Sequence, residues 1–290
     1  MSKIFTPIGL ILVLVSVVVG YTAHGGNLHL LWQPTEFIII GGAAFGAFMA
    51  SATPEFFKHS LHTLKEGVLF VPLEKKDYLE VLNLLNEIFA KIRKEGPLKL
   101  EGHMDDPENS SIFKKYPDFM QKKDALEFLT DSFRTIISTK IQYYDLSALL
   151  DAEIEAHFEE QSKQAELVNE IAESFPGLGI VAAVLGVVIT MQKISEPPEI
   201  LGESIGAALV GTFLGVLLCY GFAGPCARKM KMYAESEKEF LVVIKTIIIL
   251  FVSGLNPNVV LEFGRRAVPK PVRPTFLDLE ESFKESKKLT

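Results

Sequence analysis

Four uncharged, apolar runs of membrane-spanning length constrain this chain more than any other feature, because lipid admits only segments whose backbone groups are satisfied internally. They cover residues 4–23, 37–52, 174–192 and 204–227. The last two carry a second pattern. Gly179, Ala182, Ala183, Gly186 and Thr190 fall at three- and four-residue steps, so one side of the third run has almost no side-chain bulk. Gly206, Gly211, Thr212, Gly215 and Cys219 do the same on the fourth, where Gly211–Gly215 is a GxxxG. Small faces let helix backbones approach closely in lipid, which supplies no hydrophobic drive between helices. Plain helix packing is what most such patterns mean. A wall around a narrow path or a partner helix is the sharper reading, favoured by Pro176 and Pro225 near the inner ends of the two runs and by the hydroxyl that Thr212 places in the middle of the fourth.

The rest of the chain is too charged for a purely membrane-embedded protein: of 290 residues, 48% are hydrophobic yet 22% are charged. That mixture suits a membrane protein with a large soluble part. The net charge of −7, without a basic stripe, argues against nucleic acid as a partner. Cys219 and Cys226 have neither metal-ligand spacing nor a disulfide framework and read as packing residues. The first run has a thin n-region, Lys3 alone, and is long for a signal peptide; with a second run following almost at once, it reads as a retained span.

Connections one-to-two and three-to-four are short, and connection two-to-three is long. The first short connection has no Lys or Arg and the second only Lys193, whereas Lys58 and Lys65 follow the second run and Arg228, Lys229 and Lys231 follow the fourth. By the positive-inside rule the short loops face out, and both termini and the long loop face the cytoplasm. Trp32 and Tyr21 are candidate interface anchors outside. The expected fold is an all-α integral membrane protein with four transmembrane helices, a large helical cytoplasmic domain between the second and third, and a cytoplasmic C-terminal segment. Its parts are residues 1–52 (two spans), 53–173 (cytoplasmic domain), 174–227 (two spans, the third helix extending into the cytoplasm) and 228–290 (C-terminal helix and tail).

Residues 241–260 imitate a fifth span. Lys245 interrupts them, Gly254, Asn256, Pro257 and Asn258 break them, and a crossing would place Arg265 and Arg266 outside. They are expected to form a cytoplasmic helix with its apolar side packed on the cytoplasmic domain or at the membrane surface. In the long loop, residues 78–94 have a helical apolar period, and residues 124–141 and 146–158 read as further amphipathic helices. Residues 153–173 carry seven glutamates and one lysine before the third run, which predicts an acidic extension of that helix.

No enzyme is legible. There is no glycine-rich phosphate loop or nucleophile elbow, the six histidines form no ligand spacing, and no cofactor or metal is expected. The cores of the four runs hold no Asp, Glu, Lys, Arg or His; they offer only hydroxyls, of which Thr190, Thr212 and Tyr220 are singled out. Ion relays through membranes are normally marked by ionisable groups, so proton flow here would need a carboxylate from a second polypeptide with its own span. Most soluble-part charges read as solvated helix faces. Arg93 and Glu101 flank a Gly-Pro break, where a partner could meet them, and Asp131 is a weaker candidate of the same kind.

The segments WQPTEFIIIGGAAFGAF, AKIRKEGPLKLEGHMDDPENSSIFKKYP, ESFPGLGIVAAVLGVV, LVGTFLGVLLCYGFAGP and VLEFGRR together give a resemblance over nearly the whole chain to the MotA-type stator subunits of the bacterial flagellar motor, in the MotA/TolQ/ExbB proton channel family. The resemblance implies a ring of five chains in the inner membrane around two copies of a MotB-type partner. That partner carries the titrating transmembrane aspartate and anchors to peptidoglycan. It implies that Arg93 and Glu101 meet the rotor switch-complex protein FliG, that Pro176 and Pro225 serve conformational change during ion flow, and that Thr212 faces the partner's aspartate. Sodium-driven relatives have threonine at the position of Ala183, and alanine offers no oxygen ligand, so the expected ion is the proton. The alternative is an energiser of the ExbB/TolQ type, which has three spans and lacks the AKIR…LE segment. A passive channel or scaffold is a further alternative, disfavoured by the absence of charged rings or filter-like motifs.

Overall fold

A computed structural model describes residues 2–54, 60, 63, 67–139 and 141–288. Lys58 and Lys65, which contribute to the orientation argument, lie outside the described residues. No strand occurs among the described residues, and four helical stretches are long and apolar enough to cross a membrane: Ile4–Ala23, Leu28–Ser51, Tyr143–Met191 and Pro198–Val252. The helices that matter here are α1 (Ser2–Ala23), α2 (Pro34–Ser51), α3 (Lys75–Glu95), α4 (Glu101–Asp105), α5 (Lys123–Ser138), α6 (Tyr143–Met191), α7 (Pro198–Leu217), α8 (Gly224–Val252), α9 (Pro257–Ala267) and α10 (Phe276–Lys288). The chain divides into two compact units, residues 1–71 with 160–234 and residues 72–159 with 235–290.

In the first unit α6 and α7 run antiparallel along the small-residue faces. A methyl group built on Gly179 would lie 2.7 Å from the Gly211 carbonyl oxygen and 3.1 Å from the Gly215 Cα; one on Gly186 would lie 2.7 Å from the Ala208 Cβ; one on Gly215 would collide with the Phe175 carbonyl oxygen. The stripes therefore pack on each other, and Ala182, Ala183, Ala208 and Gly211 are buried between the helices. The opposite sides carry the bulk: Val181, Val184, Leu185 and Val188 on α6 and Leu209 and Val216 on α7 are exposed, as suits residues that face lipid or another helix.

Neither proline ends a helix. Pro176 lies inside α6, which is a single 49-residue helix, so residues 146–158 are its first turns and not a separate element. Before Pro225 the backbone passes through a π-helical segment, Leu218–Ala223, in which the Gly224 N–H reaches back to the Cys219 carbonyl. One extra residue per turn accommodates a proline that has no N–H to offer. The helix of the fourth run thus continues into α8 as far as Val252.

The second unit explains why residues 241–260 are not a fifth crossing. α8 ends at Val252, and Gly254, at φ +92°, turns the chain in a conformation open to glycine. Asn256 then caps α9 by accepting the Asn258 N–H at 3.1 Å. Phe240, Val243, Ile244, Ile247 and Ile248 of α8 join Tyr78, Leu82, Leu85 and Phe89 of α3, Phe128 and Phe133 of α5 and Leu150 of α6 in one core. Phe89 stacks on Phe251 with centroids 3.8 Å apart. Lys245, the interruption in the apolar run, pairs with Asp151 at 2.5 Å, and Lys238 pairs with Glu155 at 2.6 Å. The two arginines after this stretch are both held by Glu262: Arg265 and Arg266 approach Glu262 Oε1 at 2.7 Å each.

Two expectations follow from this packing. Gly215→Leu sets a side chain against backbone that cannot step aside, and the purified chain should lose about 1–3 kcal/mol of stability, whereas Gly202→Ala, with nothing within 4 Å, should not lower the thermal midpoint. The hydrogen bond from Arg265, reinforced by Arg266, holds the Glu262 carboxyl down at about 2, below its ordinary 4.5. A depressed carboxyl stabilises the fold above its unfolded value, and that stability is lost as pH falls through the folded value. Circular dichroism between about pH 4.5 and 2 should therefore show a shallower acid loss for Glu262→Gln than for the native chain.

Candidate functional site

Two surfaces collect the residues singled out from the sequence. On the α6–α7 pair, Ala183 is 8% exposed, inside the seam. Thr190 is 5% exposed, and its hydroxyl donates to the Gly186 carbonyl at 2.9 Å, a bond within its own helix. Thr212 is half-buried beside buried Gly211, and Tyr220 stands out at 70% exposure from the π-helical segment. Pro176 and Pro225 are half-buried. The seam thus takes Ala183 and Thr190 inward, and leaves Thr212 and Tyr220 where another helix can meet them.

The unpredicted member of this site is Glu36. The second run begins, by sequence, just after it; the helix begins at Pro34 and carries Glu36 in its first turn, 6% exposed. A methyl group built on Gly211 would lie 2.5 Å from Glu36 Oε2, 3.0 Å from the Ala182 Cβ and 3.1 Å from the Ala183 nitrogen. So a carboxylate abuts the seam at the level of Ala183 and Thr212. The expectation that the runs supply only hydroxyls came from treating this glutamate as a boundary. The signal that places it inside is Pro34, since proline is favoured at the first position of a helix.

The second surface lies on α3–α5. Arg93 is exposed in the last turn of α3. The Gly96 N–H closes that helix on the Ile92 carbonyl at 2.9 Å, Gly96 takes φ +86°, and a 3₁₀ turn over Pro97–Leu100 leads to exposed Glu101 at the start of α4. Glycine reverses the chain and proline rigidifies the exit, so both charges project from one corner. Asp131 plays a different part. It pairs with Arg134 at 2.6 Å, and Arg134 also contacts Asp105 at 3.1 Å and donates to the Met104 carbonyl at 2.7 Å. Through that guanidinium Asp131 of α5 fixes α4, the helix that presents Glu101.

A third cluster also escaped sequence reasoning. His157 Nε2 lies 3.3 Å from Glu237 and 3.9 Å from Asp124, joining α5, α6 and α8. Its members are separated widely along the chain, so no spacing could announce it.

Residues 7–96 match the family described as "Motility protein A N-terminal", and residues 121–241 the MotA/TolQ/ExbB proton channel family. Motility protein A of Salmonella typhimurium is 35% identical over 274 residues, covering 94% of this chain and 93% of that one, and the Escherichia coli K12 protein matches to the same extent. The chain belongs to the motility protein A family. Chemotaxis protein LafT of Vibrio parahaemolyticus is 32% identical over 94% of this chain and 96% of its own length. In fold the chain is similar to C. jejuni MotAB, with a TM-score of 0.78 at 21% identity over 94% of this chain and 99% of that one. It is also similar to the flagellar MotAB stator complex of Bacillus subtilis, with a TM-score of 0.72 at 23% identity over 88% and 92%. As a member of this family, the chain has a helical membrane architecture with a large helical soluble part.

If Arg134 holds α4, Arg134→Ala should raise hydrogen exchange across residues 101–105 several-fold, while Arg93→Ala, on an exposed side chain, should leave it unchanged.

Proposed function

We propose that this chain is a torque-generating stator subunit of the bacterial flagellar motor. It forms a ring of five in the inner membrane around the helices of two MotB-type partners, with both termini and the second unit in the cytoplasm. The observation that carries this reading is the relationship to motility protein A along 94% of the chain. The partner supplies the carboxylate that takes up and releases protons, and the second unit pushes on FliG through Arg93 and Glu101. A reading as an ExbB/TolQ-type energiser draws on the shared match of residues 121–241, but the match of residues 7–96 to the motility protein A N-terminal family and the four spans favour the stator.

In this reading the seam between α6 and α7 is the rigid backing of each subunit. Thr212 and Tyr220 form the face that meets the partner helix. Protonating the partner's carboxylate removes a charge that is costly to hold away from water, and the partner helix docks differently on that face. Pro176 and the π-helical segment before Pro225 are the points where α6 and α7–α8 bend, since each lacks a regular backbone hydrogen bond. Asp131 acts by positioning Glu101. The proton is the coupling ion, because Ala183 offers no side-chain oxygen.

The test is rotation of tethered cells that lack their own stator and receive this chain with a MotB-type partner. Rotation that persists without sodium and stops when the proton gradient is collapsed supports the reading; sodium-dependent rotation replaces the ion; no rotation with the complex assembled moves the assignment to the envelope energiser. In the same cells Pro176→Leu should abolish torque with assembly intact. Arg93→Glu should weaken torque, with recovery by charge reversal on the rotor.

A further inference from the structure

Glu36 is a carboxylate with no visible reason to be where it is. It is more than nine-tenths buried, and among the described residues its Oε2 has no hydrogen-bond partner. An acidic side chain within a span is costly, and in membranes such groups pair with one another, meet backbone donors, or mark the path of an ion. Where it meets the seam, the described residues supply no counter-charge. α7 presents Gly211, α6 presents Ala182 and Ala183, and none of these carries a titratable group. The rest of the third and fourth runs, residues 174–192 and 204–227, holds no acidic or basic side chain either.

The space for the carboxylate is built. Gly211 is the residue that any side chain would close, since a methyl group there falls 2.5 Å from Glu36 Oε2. The glycine thus does two jobs: it lets α6 approach α7, and it leaves room for an acidic head against the seam. The carboxylate reaches the residue next to Thr212, the hydroxyl read above as facing the partner.

We propose that Glu36 is a cation site supplied by this chain itself, taking up a proton in transit beside Ala183 and Thr212. This deepens the stator reading and rests on it. The missing partner of Oε2 is then the transported ion, and a partner of this kind need not be a fixed part of the protein. Ion passage requires the partner subunit's carboxylate and is tuned by a second carboxylate, one per subunit of this chain.

The test uses the full complex with a MotB-type partner, in lipid. Infrared difference spectra are recorded on a pH step without sodium, and on adding sodium at fixed pH. A protonated-carboxyl band that responds in the native complex, is lost in Glu36→Gln and survives replacement of the partner's aspartate by asparagine is the expected result. A response to pH alone supports the proton site; bleaching of that band by sodium at fixed pH would overturn it. Glu36→Asp keeps the carboxyl and must shift the band, which decides the matter even where Glu36→Gln fails to assemble. In stator-less cells, speed against external pH should change shape for Glu36→Gln, with maximal speed lowered several-fold, and return toward native for Glu36→Asp. Native-chain cells that never rotate would count against the stator reading. Rotating native-chain cells, with spectra and pH profile unaltered by Glu36→Gln, would overturn the cation site.

Discussion

Backbone-to-backbone contact between α6 and α7 is the constraint on which the membrane-embedded unit depends. Lipid gives no hydrophobic reward for pairing two apolar helices, so the pair is held by dispersion, and each atom contact contributes only about 0.1–0.2 kcal/mol. Only a face stripped of side chains brings enough atoms together. Gly179 against Gly211 and Gly215, Ala182 and Ala183 against Gly211, and Gly186 against Ala208 are that face. Once it is closed, the bulky sides of both helices point outward, and the half-exposed hydroxyl of Thr212 and the exposed ring of Tyr220 are left at its edge. The same closeness leaves a pocket of backbone and methyl groups into which the head of Glu36 fits.

The second unit is organised by the opposite economy. Water surrounds it, so its helices join through a buried aliphatic and aromatic core, and the charged pairs at the rim set register more than they set stability. Lys245 with Asp151, Lys238 with Glu155, and the contacts of His157 with Glu237 and Asp124 tie the lower parts of α6 and α8 to one another and to α5. Arg134 does the same between α5 and α4. Both units share α6 and α8 as continuous helices, with the division falling between Glu159 and Glu160 in one and between Ala234 and Glu235 in the other.

Much of this was legible in the residues, and the failures have physical causes. The spans were readable because lipid enforces long uncharged helices. The false fifth span was rejected on Lys245 and Gly254, and both have structural work: one pairs with Asp151, the other turns the chain at positive φ. The extension of the third helix past Pro176 is legible in its glutamate-rich stretch, whereas the π-helical turn before Pro225 has no sequence signal beyond the proline itself. Asp131 is legible only as a weaker partner-facing charge, and its link to α4 is not, since its partner Arg134 is three residues away but acts on Met104 and Asp105, nearly thirty residues back. Glu36 was lost at a boundary because hydropathy marks where charge stops, whereas helices start where backbone geometry allows, at Pro34. His157 was invisible because its neighbours come from helices far apart in the chain.

In the proposed stator the α6–α7 seam is a permanent joint, and motion during ion flow takes place at its outer face and at the prolines. A disulfide across it tests this directly. With Cys219 and Cys226 replaced by alanine, cysteines at positions 186 and 208 would have Cβ atoms that start closer than the roughly 3.8 Å of a disulfide, so oxidation can join them with a shift of about an ångström. The account predicts that stator-less cells carrying this variant rotate at similar speed before and after oxidation. Rotation that stops on oxidation and resumes on reduction would contradict it, because the seam would then have to open in every cycle.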